Sequence, residues 1–387
     1  MHKRLFYLDN LKTFALLLGV LFHTSIVYAP EIGYAIKNPE RNYFFSVIVH
    51  FIHVFRMPLF FFLSGFFSFM VLNKHGGRNF TFSRFERMFA PMIVGLLFFS
   101  PIQYFIVYNQ KNNPISFLEY YPLFFTPNEF DLSHIWFLVY LFLFSFLLLL
   151  NHKFHIGKLL AKILFKNSFL NKIIQFKKTN SLNLFIRFVF LSFASIYLIN
   201  FLFNKDDSFL RIQPVSFIYY LSFFLIGVYA YKNEILQNPD ITFGSKLKPI
   251  FRLIRFIVLF LIYLYLNETD PYWMSFAYDS KRILWRGVHL LIDSSLAWIL
   301  IFELAPFFKR YLDHTGPILD HLRNSGMSVY LIHHPISLLI GYFLLSVEIS
   351  VFVKFSIHTI SVYFLSFFFY YYVIKKSFIL NRVFGTK

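Results

Sequence analysis

The chain has no cysteine, which excludes disulfides, a thiolate nucleophile and any cysteine-ligated metal centre. Charge is scarce as well, at 14% of residues, where soluble domains carry about a quarter. No Gly-rich phosphate loop precedes a Lys–Ser/Thr pair, so nothing points to an ATPase. HExxH and other metal-spaced ligand sets are missing, as is the nucleophile elbow of the α/β-hydrolases. What fills the 387 residues is apolar: 57% are hydrophobic, and Phe alone supplies 59. No compact soluble core hides that many apolar side chains from water. The solvent this sequence is written for is lipid.

A membrane span needs about 20 mostly apolar residues. That rule predicts ten helices, near 11–29, 45–70, 89–109, 134–151, 184–203, 213–231, 251–267, 284–305, 325–345 and 355–374. No soluble domain fits between them, and no fixed-period repeat recurs. The fold class expected is therefore all-α, a polytopic integral membrane bundle forming a single domain over 1–387 with a basic tail at 375–387. Basic residues orient it, because cytoplasmic loops collect Lys and Arg. With the N-terminus in the cytoplasm, 26 of the 37 Lys and Arg fall on that side and 8 on the other. An even number of spans then places both termini in the cytoplasm. The net charge of +18 is thus explained without nucleic acid, for which no compact basic domain exists. The first apolar run follows Lys3 and Arg4 but lacks a small-x-small cleavage site, so it reads as a retained signal anchor.

Ionisable side chains inside a span are costly and become functional candidates by default. Lys12 and His23 lie eleven residues apart on the first span, about 20° beyond three full turns, and so share one face about 16 Å apart. The second span carries His50, His53 and Arg56, then MPLFFFLSGFF, in which Pro58 and Gly65 predict bending and close backbone approach. The eighth carries Arg286, His289 and Asp293 on one face, and the ninth reads GMSVYLIHHPI, with His333 at a depth close to that of His23. Each has a plainer reading: a snorkelling lysine, a hydrogen-bonded core histidine, a structural ion pair between Asp293 and Arg56. Convergence of His23, Arg56, Asp293 and His333 at one depth favours a site. Arg84 and Arg87, one helical turn apart, suit a phosphate, although positive-inside anchoring also explains them. The lysines of 152–183 read as anchoring. His134, Trp136 and Phe137 sit at the outer flank where the fourth span begins, where Trp also reads as an interface anchor, and Glu268, Asp270, Tyr272, Trp273 and Asp279 read as a weak sugar-binding mouth.

The segment LDNLKTFALLLGVLFH resembles the signature of the acyltransferase family 3 membrane proteins, a basic residue followed ten or so residues later by histidine. Lys12 stands where that family usually has Arg, which keeps the charge and loses the bidentate fork. FRMPLFFFLSGFF, the Arg84-x-x-Arg87 pair, HIWFL at 134–138 and YLIHHP at 330–335 follow in the family's order, so the resemblance spans residues 8 to about 335. It implies transfer of acetyl or succinyl from cytosolic acyl-CoA to a hydroxyl of an extracytoplasmic carbohydrate, at a bacterial inner membrane and without a metal. Carried onto these residues, it makes His23, Arg56, Asp293 and His333 catalytic, and Lys12, Arg84 and Arg87 the binders of the acyl-CoA phosphates. The rival class is a transporter or flippase, whose paired, interrupted half-structures the sequence does not display.

Overall fold

The computed structural model describes residues 4–111, 114–155, 181–203, 207–237, 239, 247–269 and 280–384. Their helices are α1 (Phe6–Tyr28), α2 (Tyr43–Arg84), α3 (Ala90–Val94), α4 (Ser100–Lys111), α5 (Phe117–Phe124), α6 (Trp136–Phe154), α7 (Ser181–Ile199), α8 (Pro214–Lys232), α9 (Pro249–Thr269), α10 (Ser280–Leu312), α11 (Pro317–Leu344), α12 (Val351–Phe369) and α13 (Phe378–Val383). Single π-helical turns at Phe85–Phe89 and Gly95–Phe99 flank α3. Among the described residues, nine helical runs are long and apolar enough to cross a membrane. The chain is an all-α polytopic membrane bundle. Most of 152–183, together with Asp270, Tyr272, Trp273 and Asp279, lies outside the described residues.

Nine runs accommodate ten predicted spans because 45–70 and 89–109 fall within one run of 68 residues, Tyr43–Gln110. At 1.5 Å per residue such a run would reach about 100 Å, three bilayer cores end to end. It does not run straight. Gly76 takes φ 72° and ψ 172°, a left-handed backbone that a side chain disfavours, inside otherwise helical chain. Lys12 lies against the Phe67 ring and also feels the charge of Arg84, two sites on α2 that about 25 Å of straight helix would separate. The chain therefore doubles back at Gly76. The stretch between the predicted spans 45–70 and 89–109 is helical on both sides of that reversal.

α2 is the central helix, and its Phe run shows why. Phe60, Phe61 and Phe62 point in three directions and are each at most 2% exposed. Phe61 packs on Phe137, Phe144 and Tyr220 at ring separations of 4.8–5.4 Å. α8 crosses α2 at backbone contact. A Cβ on Gly65 would fall 1.9 Å from the Phe224 carbonyl oxygen, and one on Gly227 would fall 1.9 Å from that of Phe62. Lipid supplies no hydrophobic drive between helices, so small residues that admit close packing take over that role. α9 does the opposite: Leu261 and Tyr265 are 58% and 63% exposed, a surface suited to acyl chains.

α1 and α2 lie antiparallel. Lys12 sits over Phe60 at 5.1 Å, near the start of α1, and Arg56 over Phe22 at 4.7 Å, near its end. α1 lacks a glycine terminator, so Lys37 Nζ donates to the free carbonyls of Ile26 (2.8 Å) and Ala29 (2.5 Å). Asn38 and Asn42 N–H donate to Val27 and Tyr28, which pins the 29–42 segment back over the helix.

Candidate active site

A cavity of about 230 Å³ opens between α1, α2, α8, α11 and the start of α6. Its α1 wall is built from Ala15, Leu16, Gly19, Phe22 and His23. These positions follow the 3.6-residue period of a single face, one turn beyond Lys12. Arg56 and His53 enter from α2, His333 from α11, Tyr220 from α8, and His134 with Trp136 from the turn that opens α6. No carboxylate is among the lining residues.

Arg56 has neither an ion pair nor a hydrogen bond among the described residues, and its Nε is buried without a partner. Its charge is met only by the face of Phe22, with Tyr220 and Tyr330 nearby. A guanidinium held dry with free donors is an oxyanion site in waiting. His333 Nδ1 donates to the carbonyls of Tyr330 (2.7 Å) and Val329 (3.0 Å), which leaves Nε2 as a lone pair, and that atom is buried without a partner. Both groups converge on Gly19, where an added Cβ would lie 3.1 Å from Arg56 Nη1 and 3.4 Å from His333 Nε2. The absence of a side chain there keeps the space between them open.

The His23 ring lies 5.3 Å from that of His333 and 4.3 Å from that of His334. Its Nδ1 is 3.2 Å from the Tyr34 hydroxyl, which also meets His334 Nε2 at 2.8 Å. Tyr34 belongs to the segment between α1 and α2, and burial pushes its phenol above the usual range, so the hydroxyl keeps its proton. Behind His334 stand Gln103 and His134.

Of the predicted catalytic residues, the structure gathers His23, Arg56 and His333 at the cavity and leaves Asp293 behind its wall. Asp293 accepts from the Tyr219 hydroxyl at 3.0 Å, beside the cavity-lining Tyr220; Arg56 is not its ion-pair partner. His50 packs on Tyr263 rather than on the cavity, and Arg286 bonds Asn200. His134, Trp136 and Phe137, at the outer start of the fourth predicted span, line the cavity. Ser133, at φ 49°, and the tight turn Ser133–Ile135 carry His134 inward. Tyr34, Gln103, His334, Tyr220 and Tyr330 were not singled out by sequence reasoning; only His334, beside His333 in the HHP triplet, carried a visible signal.

The second predicted group also assembles. Lys12 feels the positive charges of both Arg84 and Arg87. Among the described residues none of the three cations forms an ion pair: Asp9 is taken by Arg4, and Glu86 by Arg382. Arg84 stacks on Phe80 at 4.9 Å and its Nε is buried without a partner. Three cations gather with only the charge of Asp9, itself paired with Arg4, to offset them, an arrangement that can take an anion, and it lies beside Phe60, which also lines the cavity.

A family model described as an acyltransferase domain matches residues 5–375. Among curated proteins, the chain is similar to glucans biosynthesis protein C of Escherichia coli O1:K1, with 24% identity over 355 residues, covering 88% of this chain and 84% of the relative. The protein of that name from Escherichia coli K12 (DH10B) is 24% identical over 349 residues with the same coverage. No solved structure matches.

Proposed function

The chain belongs to the acyltransferase family, and on that premise we propose that it moves an acetyl or succinyl group from cytosolic acyl-CoA to a hydroxyl of a carbohydrate outside the bacterial inner membrane. One observation carries this reading: the face of α1 that begins at the clustered cations Lys12, Arg84 and Arg87 ends at Arg56, His23 and the unpartnered His333 Nε2. An acyl-CoA has that layout, phosphates at one end and a thioester at the other. The relatives' name points to a glucan as the acceptor class.

Lys12, Arg84 and Arg87 bind the donor phosphates at the cytoplasmic mouth. The slender pantetheine arm runs along Ala15, Leu16 and Gly19, residues that leave room for it, and the thioester carbonyl meets Arg56. The acceptor hydroxyl enters from the opposite side. His23 Nε2 takes its proton as the oxygen bonds to the carbonyl carbon. Arg56 holds the oxyanion that forms. The C–S bond then breaks, the thiolate takes the proton from His23, and the products are the ester and free CoA. His333, whose ring lies 5.3 Å from that of His23 and whose Nε2 faces the same space, orients that base. Asp293 acts at one remove, through Tyr219, on the wall that holds Tyr220.

With purified protein in detergent, acetyl-CoA should release free thiol in a manner that depends on an added glucan oligosaccharide. Arg84→Ala and Arg87→Ala should each weaken acetyl-CoA binding about tenfold or more and leave the KM for the oligosaccharide unchanged. Unaltered donor affinity in the double variant would remove the phosphate role. A folded protein that releases no thiol would favour a transporter.

A further inference from the structure

A general base must present a lone pair, and a neutral histidine has one on only one of its two nitrogens. Which nitrogen of His23 carries it is set by a chain of hydrogen bonds that ends at a carbonyl. His134 Nε2 lies 3.1 Å from the Leu331 carbonyl oxygen, which can only accept, so Nε2 carries the hydrogen. His134 Nδ1 is then a lone pair and takes the Gln103 Nε2–H at 3.2 Å. That bond orients the amide, whose Oε1 accepts from the Ser133 hydroxyl and from His334 Nδ1–H at 2.5 Å. His334 Nε2, now a lone pair, takes the Tyr34 hydroxyl hydrogen at 2.8 Å. The Tyr34 oxygen in turn accepts from His23 Nδ1–H at 3.2 Å. His23 Nε2 is left with the lone pair and no hydrogen-bond partner among the described residues. The opposite polarity fails at the first link, because a carbonyl cannot donate. A flipped Gln103 amide would set its oxygen against the His134 Nδ1 lone pair at 3.2 Å, acceptor facing acceptor, and leave that nitrogen only the Ser133 hydroxyl at 3.3 Å as a donor.

We infer that this one-way chain fixes His23 as the Nδ1–H tautomer, and that Tyr34, His334, Gln103 and His134 are positioning residues for the transfer step. The inference rests on the reading of His23 as the base. No proton travels along the chain. The acceptor's proton moves to His23 Nε2 and leaves from the same atom to the departing thiolate, while the new C–O bond replaces the C–S bond. The Tyr34 oxygen, its own hydrogen turned toward His334, keeps its negative end on the imidazolium that forms between those events. Placement of Tyr34 depends on the 29–42 segment, which Lys37 holds to the end of α1 and Lys354 holds through Asn38 at 3.1 Å. The turn before α6, the 29–42 segment and α11 thus meet in one network, although none adjoins another in sequence.

The test uses the full chain in detergent, with acetyl-CoA as donor and a glucan oligosaccharide as acceptor. Tyr34→Phe keeps the ring and removes the oxygen; kcat should fall 10- to 100-fold with the KM for acetyl-CoA unchanged. Gln103→Met, three links away from His23, should do the same. The double variant should lose no more than the worse single, since both cut one chain. In ¹⁵N spectra of ring-labelled histidine, the His23 signal, assigned by its loss in His23→Ala, should be one neutral tautomer in the parent and a mixture in Tyr34→Phe. Full turnover in Tyr34→Phe alongside inactive His23→Ala would overturn the inference and spare the base. Losses that add in the double variant, or an unchanged tautomer, would overturn it too. Retained transfer in folded His23→Ala would instead strike the underlying reading. Should Tyr34→Phe fail to fold, kcat and the spectrum of Gln103→Met decide the matter.

Discussion

Arg56 is expensive to keep where it is. A guanidinium in a dry cavity with no carboxylate partner forgoes its hydration and recovers only an aromatic face. Arg56→Met, similar in length and apolar, is therefore expected to raise the free energy of unfolding in detergent by on the order of 1 kcal/mol. The same change should cut acyl transfer about a hundredfold, as loss of an oxyanion donor does. A stabilised but inactive variant is the signature of a residue kept for chemistry. Lower stability with normal turnover would make Arg56 structural. His23, Arg56 and His333 were legible in sequence for the same reason that they are costly: an ionisable group stands out in an apolar run. Gln103 and Tyr34 were not, because neutral polar residues are common in spans and their roles depend on contacts 231 and 300 residues away along the chain. Trp136 carried no clear signal because a Trp at the start of a span fits an interface anchor as well as a cavity wall.

At the level of elements, the crossing of α2 and α8 places everything else. It sets Arg56 on one side and Tyr220 on the other, and two glycines permit it. Gly65→Ala or Gly227→Ala puts a methyl within 2 Å of a carbonyl oxygen on the facing helix, and backbone cannot step aside as a side chain would. Each should cost at least about 1–3 kcal/mol in thermal unfolding, with both variants also losing activity as the cavity walls part. Unaltered stability in either would mean that the helices cross farther apart. Hydropathy located the apolar spans well, since length and composition define them. It missed the helical character of 72–88, because Lys74, Arg78 and the Gly76–Gly77 pair look like loop. The sequence pattern cannot tell a loop from a helix that reverses at one glycine.

Across the whole molecule, the scarce charge is sorted by task. Most Lys and Arg fall in segments expected to face the cytoplasm, three of them gather without an ion pair around the start of α1, and the cavity holds one more. The donor site proposed on one side and the reaction chamber proposed within the bilayer suit a protein that passes an acyl group across without releasing it. The family and the bundle follow from sequence and comparison together; vectorial transfer is the claim that most needs a direct test. Proteoliposomes that hold radiolabelled acetyl-CoA on the side of Arg84 and a glucan oligosaccharide on the other provide it. Label should appear on the oligosaccharide with the parent protein and stay at background with His23→Ala, both shown to be folded and inserted. Equal labelling by the two, or none by the parent protein, would contradict the account.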